Sequence, residues 1–136
     1  MATILLIEEE PDLALFEVKL LEDKGHRVIR CGGGLNPLSA CPLMRFGDCP
    51  VPEPADLILF SCPLYAPVLR RSYRGEALLR TYRSHPRYGS VPMVVVSAGA
   101  PADLSGTGPL AFVRKFSSPG AVIAAVEEML LAAATN

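Results

Sequence analysis

Ile4-Leu-Leu-Ile-Glu-Glu-Glu-Pro-Asp-Leu13 reads as a strand, an acidic turn and the first turn of a helix. Thr3 to Ile7 is continuously apolar and rich in β-branched residues, the pattern of a strand covered on both faces of a parallel sheet. The three acids end it abruptly. Pro11 suits the first helical position, where its missing N–H costs nothing, and Asp12 complements the positive helix end. Leu13, Phe16 and Leu20 recur at i, i+3 and i+7 and predict the buried stripe, with Glu17, Lys19, Glu22 and Asp23 mostly elsewhere. Gly25 stops the helix, and Arg27 to Cys31 predicts a second strand. Strand, helix and strand within about 30 residues make a βαβ unit.

The pattern resumes downstream. Asp56 to Ser61 predicts a third strand, Gly75 to Ser84 a helix, and Val91 to Ser97, with its Val94-Val95-Val96 run, the most hydrophobic strand. Ala111 to Arg114 predicts a fifth strand. Pro119 opens a last helix whose Ile123, Val126 and Leu130 share a face. Such alternation implies an α/β, doubly wound parallel sheet with helices on both faces and ligand chemistry at the strands' C-terminal ends. Two stretches interrupt it. Gly32 to Ala55 carries Gly32-Gly33-Gly34, five prolines and two cysteines, so the second helix is expected to be shortened or replaced by a loop. Pro101 to Pro109 predicts a loop or stub in place of another helix.

At 136 residues the chain is read as one domain, residues 1–136, with an irregular insertion at about 32–55. A formal net charge of -1 supplies no global attraction to nucleic acid or to an anionic membrane. The apolar runs at both ends are short and broken by acids, so a cytoplasmic location is expected. Cys31, Cys41, Cys49 and Cys62 show no CxxC spacing, which argues against a zinc site or a disulfide framework. Cys62, near the third strand's end, is the best candidate for a redox sensor. Arg70, Arg71, Arg74, Arg80, Arg83 and Arg87 form a basic stretch opposed only by Glu76, read as a solvated face. The alternative is a dock for an acidic partner or a nucleic-acid backbone, with Tyr73, Tyr82 and Tyr88 interleaved. His26 is expected to be exposed and His85 to sit in a turn before Pro86.

Four polar features stand at strand ends in order: Glu8-Glu9, Ser61, Ser97 and, just after the fifth strand, Lys115. With the framing sequences Asp56-Leu-Ile-Leu-Phe-Ser, Val91-Pro-Met-Val-Val-Val-Ser-Ala and Phe112-Val-Arg-Lys, the chain resembles the receiver domain of two-component response regulators, the CheY-like family. The resemblance spans nearly everything outside Gly32–Ala55. It implies a flavodoxin-like, five-stranded sheet of order 2-1-3-4-5. In that family an acidic pair helps hold Mg²⁺, an aspartate ending strand three accepts a phosphoryl group from a histidine kinase, a Ser or Thr binds the phosphoryl oxygen, and a lysine neutralises it. Carried over, Glu8 and Glu9 match the acidic pair, Ser97 the hydroxyl and Lys115 the lysine. Phe112 lies near the switch aromatic and the partner surface.

The departures are as specific. Ser61 stands where the acceptor aspartate belongs, and a serine hydroxyl without an adjacent base is a poor nucleophile. Phe116 replaces the proline that usually follows the lysine, and Pro63 comes early in the loop after strand three. The resulting expectation is a stand-alone pseudo-receiver, not an enzyme. It would act on a histidine kinase, regulator or output protein through phosphorylation-independent binding, with self-association into a homodimer also considered. No cofactor or metal is expected; Glu8 and Glu9 are the residues a Mg²⁺ would use. Lys115 is expected to pair with Glu8 or Glu9. The alternatives are a receiver that still binds Mg²⁺ or an anion, and a small flavodoxin-like cysteine sensor.

Overall fold

The computed structural model describes residues 1–8, 11–30, 55–61, 65–66, 71–72, 74–97, 106–114 and 118–134. In chain order the elements are β1 (Thr3–Glu8), α1 (Pro11–Asp23), β2 (Arg27–Arg30), β3 (Leu57–Ser61), β4 (Tyr65–Ala66), β5 (Arg71–Ser72), α2 (Arg74–Ser84), β6 (Met93–Ser97), β7 (Leu110–Arg114) and α3 (Pro119–Ala134). Five strands form one sheet of order β2-β1-β3-β6-β7, and every pairing in it is parallel. Counted without the small ribbon, this is the expected order 2-1-3-4-5. The ribbon, β4 paired antiparallel with β5, has no counterpart in the sequence reading. The Gly32–Pro54 segment and Cys31, Cys41, Cys49 and Cys62 lie outside the described residues.

Strand alternation divides the core in two. Ile4, Leu6, Leu57, Leu59 and Val94 face Ala14 and Leu21 of α1 and Val122, Ile123 and Val126 of α3. Leu5, Ile7, Ile58, Phe60, Met93 and Val95 face Leu79 and Tyr82 of α2, together with Tyr88. A sheet sandwiched in this way needs apolar residues at consecutive positions, and β1 buries every residue from Ile4 to Glu8.

The buried face of α1 differs from the expected one. Leu13 and Phe16 are exposed, at 39% and 48%, and Leu20 is only partly covered. Ala14, Glu17 and Leu21 are the buried positions, with Val18 packed beside them. These residues also recur at i, i+3, i+4 and i+7, so the helix is rotated by about one residue, or roughly 100°, from the stripe that hydrophobicity alone selects. Small Ala14 lets α1 approach the sheet closely, whereas Leu13 and Phe16 extend outward. In α3 the expected Ile123 and Val126 are buried, joined by Val122, and Leu130 packs against them.

The helix ends follow ordinary capping rules. Gly25 adopts φ +87, and His26 N–H and Lys24 N–H both donate to Leu21 O, closing α1. Ser118 caps α3, its Oγ accepting from Ala121 N–H at 3.2 Å. His26 is not exposed as expected. Its ring is 9% accessible, Nδ1 accepts from Ala2 N–H at 3.2 Å, and Nε2 lies 2.7 Å from Glu127 Oε1. Because Nδ1 is an acceptor there, Nε2 carries the proton and donates to the carboxylate, tying α3 to the sheet's N-terminal edge.

The basic stretch departs from the expected solvated face at Arg83, whereas Arg80 and Arg87 are exposed as expected. Arg83 is buried, and its Nη2 donates to Gly108 O at 2.9 Å. Tyr82 and Tyr88 are core residues in edge-to-face contact, with centroids 5.3 Å apart, so they offer no stacking platform to a nucleic-acid base. His85 does sit in the turn before Pro86, where its Nδ1 accepts from Arg87 N–H at 3.0 Å.

Candidate functional site: the crevice at the strand ends

In a parallel sheet all C-terminal strand ends open on one edge, and the order β2-β1-β3 reverses the winding direction beside β1 and β3. Glu8 ends β1 and is in register with Ser61, the last residue of β3. Adjacent strands lie about 4.8 Å apart and in-register residues point to the same face. Glu8 and Ser61 therefore stand side by side on the α1 and α3 face, continuing the rows Ile4-Leu6 and Leu57-Leu59. Ser97 ends β6, in register with Arg114, the residue before Lys115. Glu9 and Lys115 lie outside the described residues, and so does the expected pairing of Lys115 with Glu8 or Glu9. Phe112, in the middle of β7, is 39% exposed.

Glu8 meets an unforeseen partner. It is 8% exposed, and Glu17, itself 7% exposed, hydrogen-bonds to it from α1. Side chains on a helix lean toward its N-terminus. α1 begins at the strand-end edge, so Glu17 reaches back toward the end of β1. Burial pushes the Glu17 carboxyl up from 4.5 to about 8, helped by the adjacent charge of Glu8 and the hydrogen bond to it. Glu17 Oε2 is buried without a hydrogen-bond partner among the described residues. The sequence reading missed Glu17 because it assigned α1's polar residues to the solvent side. The competing Ala14-Glu17-Val18-Leu21 period was the available signal.

The described residues do not fit the divalent ion used by the receiver family. Mg²⁺ needs near-octahedral oxygen ligands and keeps several waters. Glu8 is instead buried beneath α1 and hydrogen-bonded to a second carboxyl, and its in-register neighbour is the neutral Ser61. Elsewhere, a cleft of about 310 Å³ at the opposite sheet edge is lined by Arg83, Ser84, His85 and Thr107, among others, and is remote from these strand ends.

No protein-family model matches the sequence, and no curated protein matches it. Solved structures do match. The CheY-like response regulator receiver domain protein of Methanospirillum hungatei superposes with a TM-score of 0.64 at 16% identity, covering 99% of this chain and 98% of that one. The fold is that of a response-regulator receiver domain. The receiver domain of a Syntrophus aciditrophicus signal transduction histidine kinase gives a TM-score of 0.64 at 18% identity, covering 97% of this chain and 92% of that one. A response regulator from Thermotoga maritima gives 0.59 at 18% identity, over 96% and 98%. The receiver fold places Glu8, Ser61 and Ser97 at the ends of its first, third and fourth sheet strands. Among the described residues, no helix is long and apolar enough to cross a membrane.

Proposed function

We propose that the chain is a pseudo-receiver, a signalling module that binds a protein partner without being switched by aspartyl phosphorylation. One observation carries this reading. Ser61 occupies the last position of β3, in register beside Glu8, where an acceptor receiver presents its carboxylate. A hydroxyl at that position lacks the negative charge that would complete a cation site, and it is a weak nucleophile. The neighbouring acid Glu8 already interacts with Glu17 of α1. What is left for function is shape, and half-exposed Phe112 on β7 marks the surface proposed for a histidine kinase, regulator or output protein. No enzymatic step is assigned.

The test is incubation with Mg²⁺ and acetyl phosphate, and separately with beryllofluoride, read by intact mass and by amide NMR. Unchanged mass and an unchanged spectrum are expected. A stable phosphoryl adduct, or beryllofluoride-induced shifts at the ends of β3 and β6, would overturn the reading.

A further inference from the structure

The stripe that hydrophobicity selects on α1, Leu13-Phe16-Leu20, points outward. Leu13 is 39% and Phe16 48% exposed, and Leu20 keeps part of its surface in water. The fold does not need this face, because Ala14, Val18 and Leu21 already join the helix to the sheet. Single exposed apolar residues are ordinary, but large ones in a row on one face mark a contact surface. Asp12 and Lys19 run beside the stripe, and both are exposed. Seven residues apart, they lie on one line along the helix, about 50° round from Phe16. The face therefore carries an apolar centre and, along one flank, a negative charge toward its N-terminal end and a positive charge toward its C-terminal end.

We propose that a second copy of the chain docks on this face, α1 against α1 in opposite directions about a two-fold axis level with Phe16. The charges select that occupant. A two-fold axis of this kind makes the contact self-complementary and keeps both charged flanks on the same side. Position 12 of one copy then stands opposite position 20 of the other. Asp12 lies about 1.5 Å along the helix axis from Lys19 of the second copy, and the symmetry makes the same pair again on the far side of the two Phe16 rings. A parallel arrangement puts the charged flanks on opposite sides of the contact and makes neither pair. The stripe is short and offers far less than the roughly 800 Å² that each partner brings to a stable interface, so the dimer is weak and forms with rising concentration. No residue of the strand-end crevice takes part, so the inference goes beyond the pseudo-receiver reading and does not depend on it.

The test is sedimentation equilibrium of the full chain from micromolar to millimolar concentration, with circular dichroism confirming that each variant is folded. The wild type is expected to pass from monomer to dimer. Phe16→Ser removes the central anchor and should lower the association constant at least about tenfold. Leu15→Ser removes a side chain that is more exposed, at 59%, but lies about 100° round the helix from Phe16, and it should leave association unchanged. Asp12→Lys and Lys19→Asp each set like charges against one another, so each variant alone should associate about tenfold more weakly than the wild type. An equimolar mixture of the two should dimerise again, because the mixed pair restores both attractions. A wild type that stays monomeric at millimolar concentration would overturn the proposal and leave the face to a different protein. Dimers that withstand Phe16→Ser would also overturn it, as would charge variants whose mixture associates no better than either alone.

Discussion

Replacing Glu17 with glutamine should make the protein more stable at neutral and alkaline pH, and the gain can be sized from the crevice. The folded-state pKa of Glu17 lies at about 8 and its ordinary value at 4.5. Between those values the folded chain holds a proton that the unfolded chain has released, so stability falls as pH rises through the window. This group's contribution is fully present below about 4.5 and gone above about 8. The full gap, at about 1.4 kcal/mol per unit, sets a ceiling of ~5 kcal/mol. Partial access to water reduces this, and about 2 kcal/mol is the expected loss. Glutamine remains neutral throughout and can donate its amide N–H to the Glu8 carboxylate. Urea unfolding followed by circular dichroism at about pH 5.5 and about pH 8.5 brackets most of the window. The variant should match the wild type at the lower pH and exceed it by about 2 kcal/mol at the higher. Parallel stability profiles for the two proteins, or a variant weaker than wild type at high pH, would refute the reasoning.

Other substitutions test the surrounding structure. Leu21→Ala, at a fully buried position, should cost about 3 kcal/mol in urea unfolding, whereas Phe16→Ala, at 48% exposure, should cost less than about 1 kcal/mol; the opposite order would restore the Leu13-Phe16-Leu20 stripe. A double-mutant cycle of His26→Ala and Glu127→Ala should return a coupling of about 1 kcal/mol, given their 2.7 Å bond. Gly106→Ala should lower thermal stability more than Gly25→Ala: both have positive φ, but a methyl at 106 would lie 2.7 Å from Arg83 O, while Gly25 faces open space. Ser61→Asp should destabilise the wild type by about 1–2 kcal/mol more than it destabilises the Glu17→Gln variant at about pH 9, where Glu17 is ionised, and about equally at neutral pH, where it is protonated, measured by the same unfolding assay.

The sheet was legible because its signal is redundant. Buried parallel strands require consecutive apolar residues, and Ile4–Ile7, Leu57–Phe60 and Met93–Val96 satisfy that requirement over lengths too short for most helices. Helix orientation was less legible, because α1 has apolar residues almost all round. Leu13 and Phe16 outscore Ala14 by hydrophobicity, yet close approach to a flat sheet favours the smaller side chain. That one rotation also hid Glu17, since an acid on the presumed outer face attracts no notice. His26 was hidden for a different reason: its partner Glu127 is 101 residues away, and no local pattern announces such a pair. The strand-end positions of Glu8, Ser61 and Ser97 followed directly from the strand assignments, but their surroundings depended on the helix and could not.

Ser61 and Glu17 are linked by electrostatics. An aspartate at position 61 would stand in register beside Glu8, about 4.8 Å away across the sheet. With Glu17 already beside Glu8, that would gather three carboxyls around one buried point. Two close carboxylates already raise one pKa strongly, and a third would demand a second proton or a bound cation. Serine removes that demand while preserving a hydroxyl that can accept or donate a hydrogen bond. Conversely, a chain that kept the strand-end aspartate would be destabilised by a glutamate at position 17 unless metal neutralised the cluster. On the proposed pseudo-receiver reading, Ser61 and the acid that covers Glu8 belong to one arrangement, in which the described carboxylates of the crevice lie beneath α1.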